Sequence, residues 1–79
     1  MINVNGKEYE KKEVVARYNR VVKETLSPVV VGKFLVSDPE DADRVLRECA
    51  DFIRSGYDLD SAIEEEVKVK KKMLSLLPF

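Results

Sequence analysis

The chain is 79 residues long, 44% apolar and 37% charged, with a formal net charge of −1, which describes one folded domain near the size at which a single core is only marginally stable. That balance excludes a disordered chain, and the single cysteine, Cys49, excludes an intramolecular disulfide and suits a reducing cytoplasm. The longest apolar run, Val29 to Val36, is interrupted by Gly32 and Lys33 and is too short to span a bilayer; with no basic-then-apolar leader in view, the protein is read as cytoplasmic.

Charge is unevenly placed. Residues 1–37 hold seven cations and four anions, residues 38–66 three and eleven, and residues 67–79 four cations alone. Such segregation favours pairing of the acidic middle with the basic ends, within one chain or between copies. The lack of His and Trp beside abundant Lys, Glu and Val also resembles the composition of heat-adapted proteins.

At the N-terminus, INVNGKEY contains Asn5-Gly6, the dipeptide favoured in two-residue hairpins because both positions require positive φ. A two-residue loop pairs Val4 with Lys7, Asn3 with Glu8 and Ile2 with Tyr9, and puts Ile2, Val4 and Tyr9 on one face. A hairpin this short needs helices to lie on. Residues 10–26 follow with a helical stripe of Val14, Val15, Tyr18, Val21, Val22 and Leu26. Glu13 with Arg17 and Arg20 with Glu24 are spaced for ion pairs on its outer surface.

Residues 28–36 are ambiguous. Three consecutive valines favour a strand, whereas Ser27 as cap, Pro28 at the first position and the spacing of Val30, Val31, Phe34 and Leu35 favour a short helix. The capping pattern predicts the helix, with a strand joining the hairpin as the alternative. Residues 39–55 then form the clearest helix: Asp38 caps, Pro39 starts, Gly56 stops, and Ala42, Val45, Leu46, Cys49, Phe52 and Ile53 recur at helical spacing. A third long helix, 59–77, starts at the cap Asp58 and packs through Leu59, Ala62, Ile63, Val67, Met73, Leu74 and Leu77. Glu66 and Lys70 fall on that apolar stripe, so its middle is expected to be less well buried or to face a different partner.

Chemistry is sparse. Asp38, Glu40, Asp41 and Asp43 lie at a helix start, where capping and the dipole call for carboxylates, and lack the spacing of a calcium loop. No His serves as a base, Cys49 lies on an apolar stripe, and no glycine-rich phosphate loop or Cys/His metal spacing occurs. No cofactor, metal or catalytic residue is therefore assigned, and the protein is read as a non-enzyme. Lys68, Lys71 and Lys72 share a helix face, and Arg17 and Arg20 form another; together they define the nucleic-acid alternative, which the overall acidity and the absence of interleaved aromatics disfavour. The lysines combined with the apolar C-terminal residues suggest a membrane-surface tail less well than packing on a partner.

The reading is a mainly α domain, a small bundle of three or four helices with a short N-terminal hairpin, the alternative being α+β with a small sheet from residues 2–9 and 29–36. Its expected role is a small interaction module that self-associates, as a homodimer, through Leu74, Leu76, Leu77 and Phe79.

Overall fold

The structure, a computed structural model, describes residues 1–76. Strands β1 (Ile2–Val4) and β2 (Lys7–Tyr9) pair antiparallel in the register Ile2–Tyr9, Asn3–Glu8 and Val4–Lys7. Asn5 and Gly6 have φ of 48° and 94°, the two left-handed residues of a type I′ turn, a conformation that the Asn-Gly dipeptide adopts with little strain. Val4 and Tyr9 are buried and Ile2 packs beside them, so the face inferred from the pairing is the one laid on the core.

Helix α1 (Lys11–Thr25) buries Val14, Val15, Tyr18, Val21 and Val22. Residues 28–36 resolve in favour of the short helix: α2 (Pro28–Phe34) begins at the Ser27 cap, whose hydroxyl accepts from the Val29 amide. It is shorter than expected. Leu35 and Val36 leave the helix, and Asn19 on α1 takes over both backbone groups of Val36, its Oδ1 accepting from the amide at 2.9 Å and its Nδ2 donating to the carbonyl at 2.7 Å. This side-chain clamp satisfies both backbone groups of a residue that lies outside any helix or strand.

The central helix is not continuous. A 3₁₀ turn (Pro39–Asp41) leads into α3 (Ala42–Glu48), and after Cys49 the chain continues as α4 (Ala50–Arg54). Asp38 is the cap, its carboxylate accepting from the Glu40 amide at 2.9 Å. At Cys49 the backbone flattens to φ −95° and ψ 4°, although the Cys49 amide still bonds the Val45 carbonyl and the Cys49 carbonyl still accepts from Ile53. The break has a packing reason. α3 packs chiefly on α1, whereas α4 packs on α5 (Leu59–Ser75), and one straight stripe cannot face both.

Gly56 ends α4 as expected, at φ 96°. Its amide bonds the Ile53 carbonyl and that of Tyr57 bonds the Phe52 carbonyl, while the Phe52 and Tyr57 rings meet at 5.5 Å; this is a Schellman ending with its hydrophobic contact. Asn5 reaches across from the hairpin turn and donates to the carbonyls of Ile53, at 2.9 Å, and Tyr57, at 2.6 Å. The first turn of the chain is thereby pinned to the end of α4. The fold is thus mainly α with one short hairpin, its core set by Tyr18, Val22, Val45, Leu59, Ile63 and Val67.

Candidate functional site: the far half of the last helix

Helix α5 is two different helices end to end. Asp58 caps it by accepting from the Ser61 amide at 2.8 Å, a bond that also holds its carboxyl below the usual carboxylate range. The first half then buries Leu59, Ala62, Ile63 and Val67. From Lys68 onward no described residue of α5 is buried, although Val69, Met73 and Leu74 are large and apolar. Val69 is 42% exposed, Met73 63% and Leu76 75%, and only Leu74 packs partly on the core. Seventeen residues make a helix about 25 Å long, and over its second half only the side that carries Lys70 and Leu74 is partly covered.

The neighbouring α2 is similar in character. PVVVGKF contains no buried residue: Val30, Val31 and Phe34 lean on the core, and Val29 is 86% exposed. Between α2 and α5 lies an open groove of about 410 Å³ whose walls include Leu26, Val29, Val30, Leu74 and Lys71. A second apolar recess of about 260 Å³ is formed by Phe34, Lys70, Met73 and Leu74. Leu74 lines both. An apolar surface of this kind is what association sites look like, and is rarely left uncovered.

Glu66 and Lys70, which interrupt the apolar stripe of α5, are largely covered rather than left open as expected: Lys70 is met from α3 by Glu48, and Glu66 by Lys70 itself. The Lys70 ammonium is bonded to Glu48 and lies 3.3 Å from Glu66, with its charge 5.9 Å from the centre of the Phe34 ring. Burial alone pulls the Lys70 pKa down, but the hydrogen bond to Glu48, the neighbouring Tyr18 and Glu48 charges and the hydrogen bond to Glu66 outweigh it, and the net shift is upward. A polar recess of about 240 Å³ opens beside this cluster, lined by Tyr18, Lys33, Phe34, Arg44, Glu48 and Lys70. Burial raises the Tyr18 phenol, with Glu48 adding to it. The Cys49 thiol is pushed up to about 12, first by burial and then by Glu66 and Glu48. Such a thiol stays protonated near neutral pH and is a poor nucleophile.

The residues singled out from the sequence are distributed unevenly. Leu74 is half-buried against the core and Leu76, the C-cap of α5, is exposed on the other side of the helix, so the two do not share a face; Leu77 and Phe79 lie outside the described residues. Lys68, Lys71 and Lys72 are exposed on the second half of α5, with Lys68 3.6 Å from Glu65. Arg17 is elsewhere, tied to Asp60 at 2.6 Å and Glu13 at 3.2 Å, with its guanidinium 5.1 Å from the centre of the Tyr9 ring. Arg20 is exposed and 3.9 Å from Glu24. Asp60 and Lys68 are eight positions apart on α5, about 12 Å along its axis, so Arg17 and the lysines do not share a continuous basic face. Sequence reasoning missed Val29, Val30 and Phe34 as walls of the groove. The available signal was a valine-rich segment too short to bury all of its own apolar surface.

Among the described residues, no group of three or more His, Cys, Asp or Glu side chains is arranged to hold a metal ion, and no helix is long and apolar enough to cross a membrane. Comparison with protein-family models, curated proteins and solved structures gives no match.

Proposed function

We propose that this protein is a non-catalytic, cytoplasmic interaction module that self-associates, as a homodimer, through the far half of α5. The observation that carries this reading is an apolar outer face left uncovered after Val67, the last buried residue of the helix: Val69 and Met73 on α5 and Leu76 at its C-cap are exposed. Exposed apolar side chains at helical spacing have little reason to be ordered in water unless another surface covers them. The small size of the domain supports the same reading, because a second copy supplies apolar burial that 79 residues provide only sparingly.

Sedimentation equilibrium over a range from about one to several hundred micromolar, the span of weak dimers, tests it. The expected result is a concentration-dependent monomer–dimer equilibrium, abolished by Met73→Glu. A strictly monomeric protein across that range overturns the proposal. Binding of a labelled duplex that weakens steeply with salt supports instead the alternative built on Lys68, Lys71 and Lys72.

A further inference from the structure

The exposed face of α5 carries more than an apolar stripe. Glu65, Val69 and Met73 follow one another at four-residue steps, and Lys72 and Leu76 stand three and seven residues after Val69, so all five share one side of the helix. None of them is buried. Measured from Val69, a carboxylate lies one turn towards the N-terminus and an ammonium one turn towards the C-terminus. Glu66 is also on the N-terminal side, but it is half-buried and engaged by Lys70.

We infer that the copy which covers this face is a second α5, antiparallel to the first about a two-fold axis at Val69; the inference rests on the self-association proposed above. In that arrangement Val69 meets the partner's Val69, and Lys72 meets the partner's Glu65 while Glu65 meets the partner's Lys72. Met73 then covers the aliphatic stem of the partner's Glu65. Two-fold symmetry makes every attractive pair occur twice. Within one chain Glu65 sits 3.6 Å from Lys68, a distance at which it is free to turn to a second ammonium.

Charge decides against the competing registers. A parallel pair sets Glu65 against Glu65 and Lys72 against Lys72. An antiparallel pair centred on Met73 maximises apolar overlap but draws the lysine-rich halves together, and no acidic residue follows Glu66 in the sequence to neutralise them. Only a centre near Val69 brings the acidic half of one helix beside the basic half of the other. Such a contact spans three helical turns, about 17 Å, and is small by the standard of stable interfaces. A weak, salt-sensitive dimer is the consequence.

Charge reversal and cross-linking test the geometry. Lys72→Glu or Glu65→Lys alone is expected to raise the dimer dissociation constant about tenfold, since each reversal turns two attractive pairs into two repulsive ones. The double variant Glu65→Lys/Lys72→Glu should return to within about threefold of the parent. Val69→Cys should form a disulfide-linked dimer on mild oxidation whereas Leu76→Cys should not, because only residues at the axis come within bonding distance of their own copies. Cys49 is fully buried and does not compete. A dimer that ignores both single reversals, or cross-links equally through positions 69 and 76, overturns the antiparallel register while leaving self-association standing. A protein that never dimerises overturns both.

Discussion

Arg17 and Asp60 form a 2.6 Å ion pair that joins the middle of α1 to the first turn of α5. The same guanidinium reaches Glu13 at 3.2 Å and lies over Tyr9, so one side chain gathers the hairpin and both long helices. The cluster is only partly saturated: Arg17 Nε and Asp60 Oδ1 are buried without partners.

Because Arg17 contributes packing on Tyr9 as well as charge, Arg17→Ala is expected to destabilise by about 2 kcal/mol and Asp60→Ala by about 1 kcal/mol, the second leaving Glu13 as a partner. Arg17→Lys should fall near the first value, since a single ammonium cannot bridge two carboxylates and stack on a ring. Urea unfolding followed by circular dichroism measures all three. Equal, negligible effects would show the cluster to be a surface ornament.

Asn5 combines a left-handed backbone with two bonds to the end of α4. Asn5→Ala should cost about 2 kcal/mol, and Asn5→Gly less, because glycine keeps the turn and loses only the bonds. Hydrogen exchange provides a local check: the amides of Gly56 and Tyr57 should lose protection in either variant. If the two variants are equally stable, the turn conformation carries no part of the effect.

Gly32 and Gly56 should respond oppositely to alanine. A Cβ at either position meets nothing within 4 Å, but Gly56 has φ of 96° while Gly32 lies within α2. Gly56→Ala is expected to destabilise by about 1 kcal/mol through backbone strain, and Gly32→Ala to stabilise by about 0.5–1 kcal/mol through helix propensity. Thermal denaturation should move the two midpoints in opposite directions. A fall in both would mean that α2 requires its glycine for some other reason.

Alkali should unfold the protein partly through Cys49. Its folded pKa, raised from 9.0 to about 12, means that the folded state keeps a proton which the unfolded state releases. Stability from this group is complete below pH 9 and is lost as the pH rises towards about 12. Tyr18, also raised by burial, acts in the same direction. Urea midpoints measured from pH 8 to 11 should decline more steeply for the parent than for Cys49→Ala, whose baseline stability is lower because of the vacated volume. Parallel slopes would contradict a buried, protonated thiol, as would rapid reaction with a disulfide reagent at neutral pH.

Much of the fold follows from local rules. Asn5-Gly6 determines the hairpin register because few other dipeptides tolerate two left-handed residues in succession. Ser27, Asp38, Asp58 and Gly56 mark helix ends because each satisfies backbone groups within a few residues of itself. The apolar stripes of α1 and of the first half of α5 name their own core. None of this needs knowledge of what lies across the molecule.

What tertiary structure decided are the matters that depend on a partner distant in sequence. The break at Cys49 arises because α3 and α4 must serve different neighbours, and periodicity within the segment is blind to that. Asn19 clamps Val36, Arg17 is spent on Asp60, and Glu48 answers Lys70; these pairings span seventeen to forty-three positions and leave no local pattern. So too for the candidate surface. Residue types in the sequence already show that α5 is apolar and basic towards its end, but which of its sides is covered there depends on the packing of distant elements: Lys70 and Leu74 are half-buried whereas Val69 and Met73 are exposed.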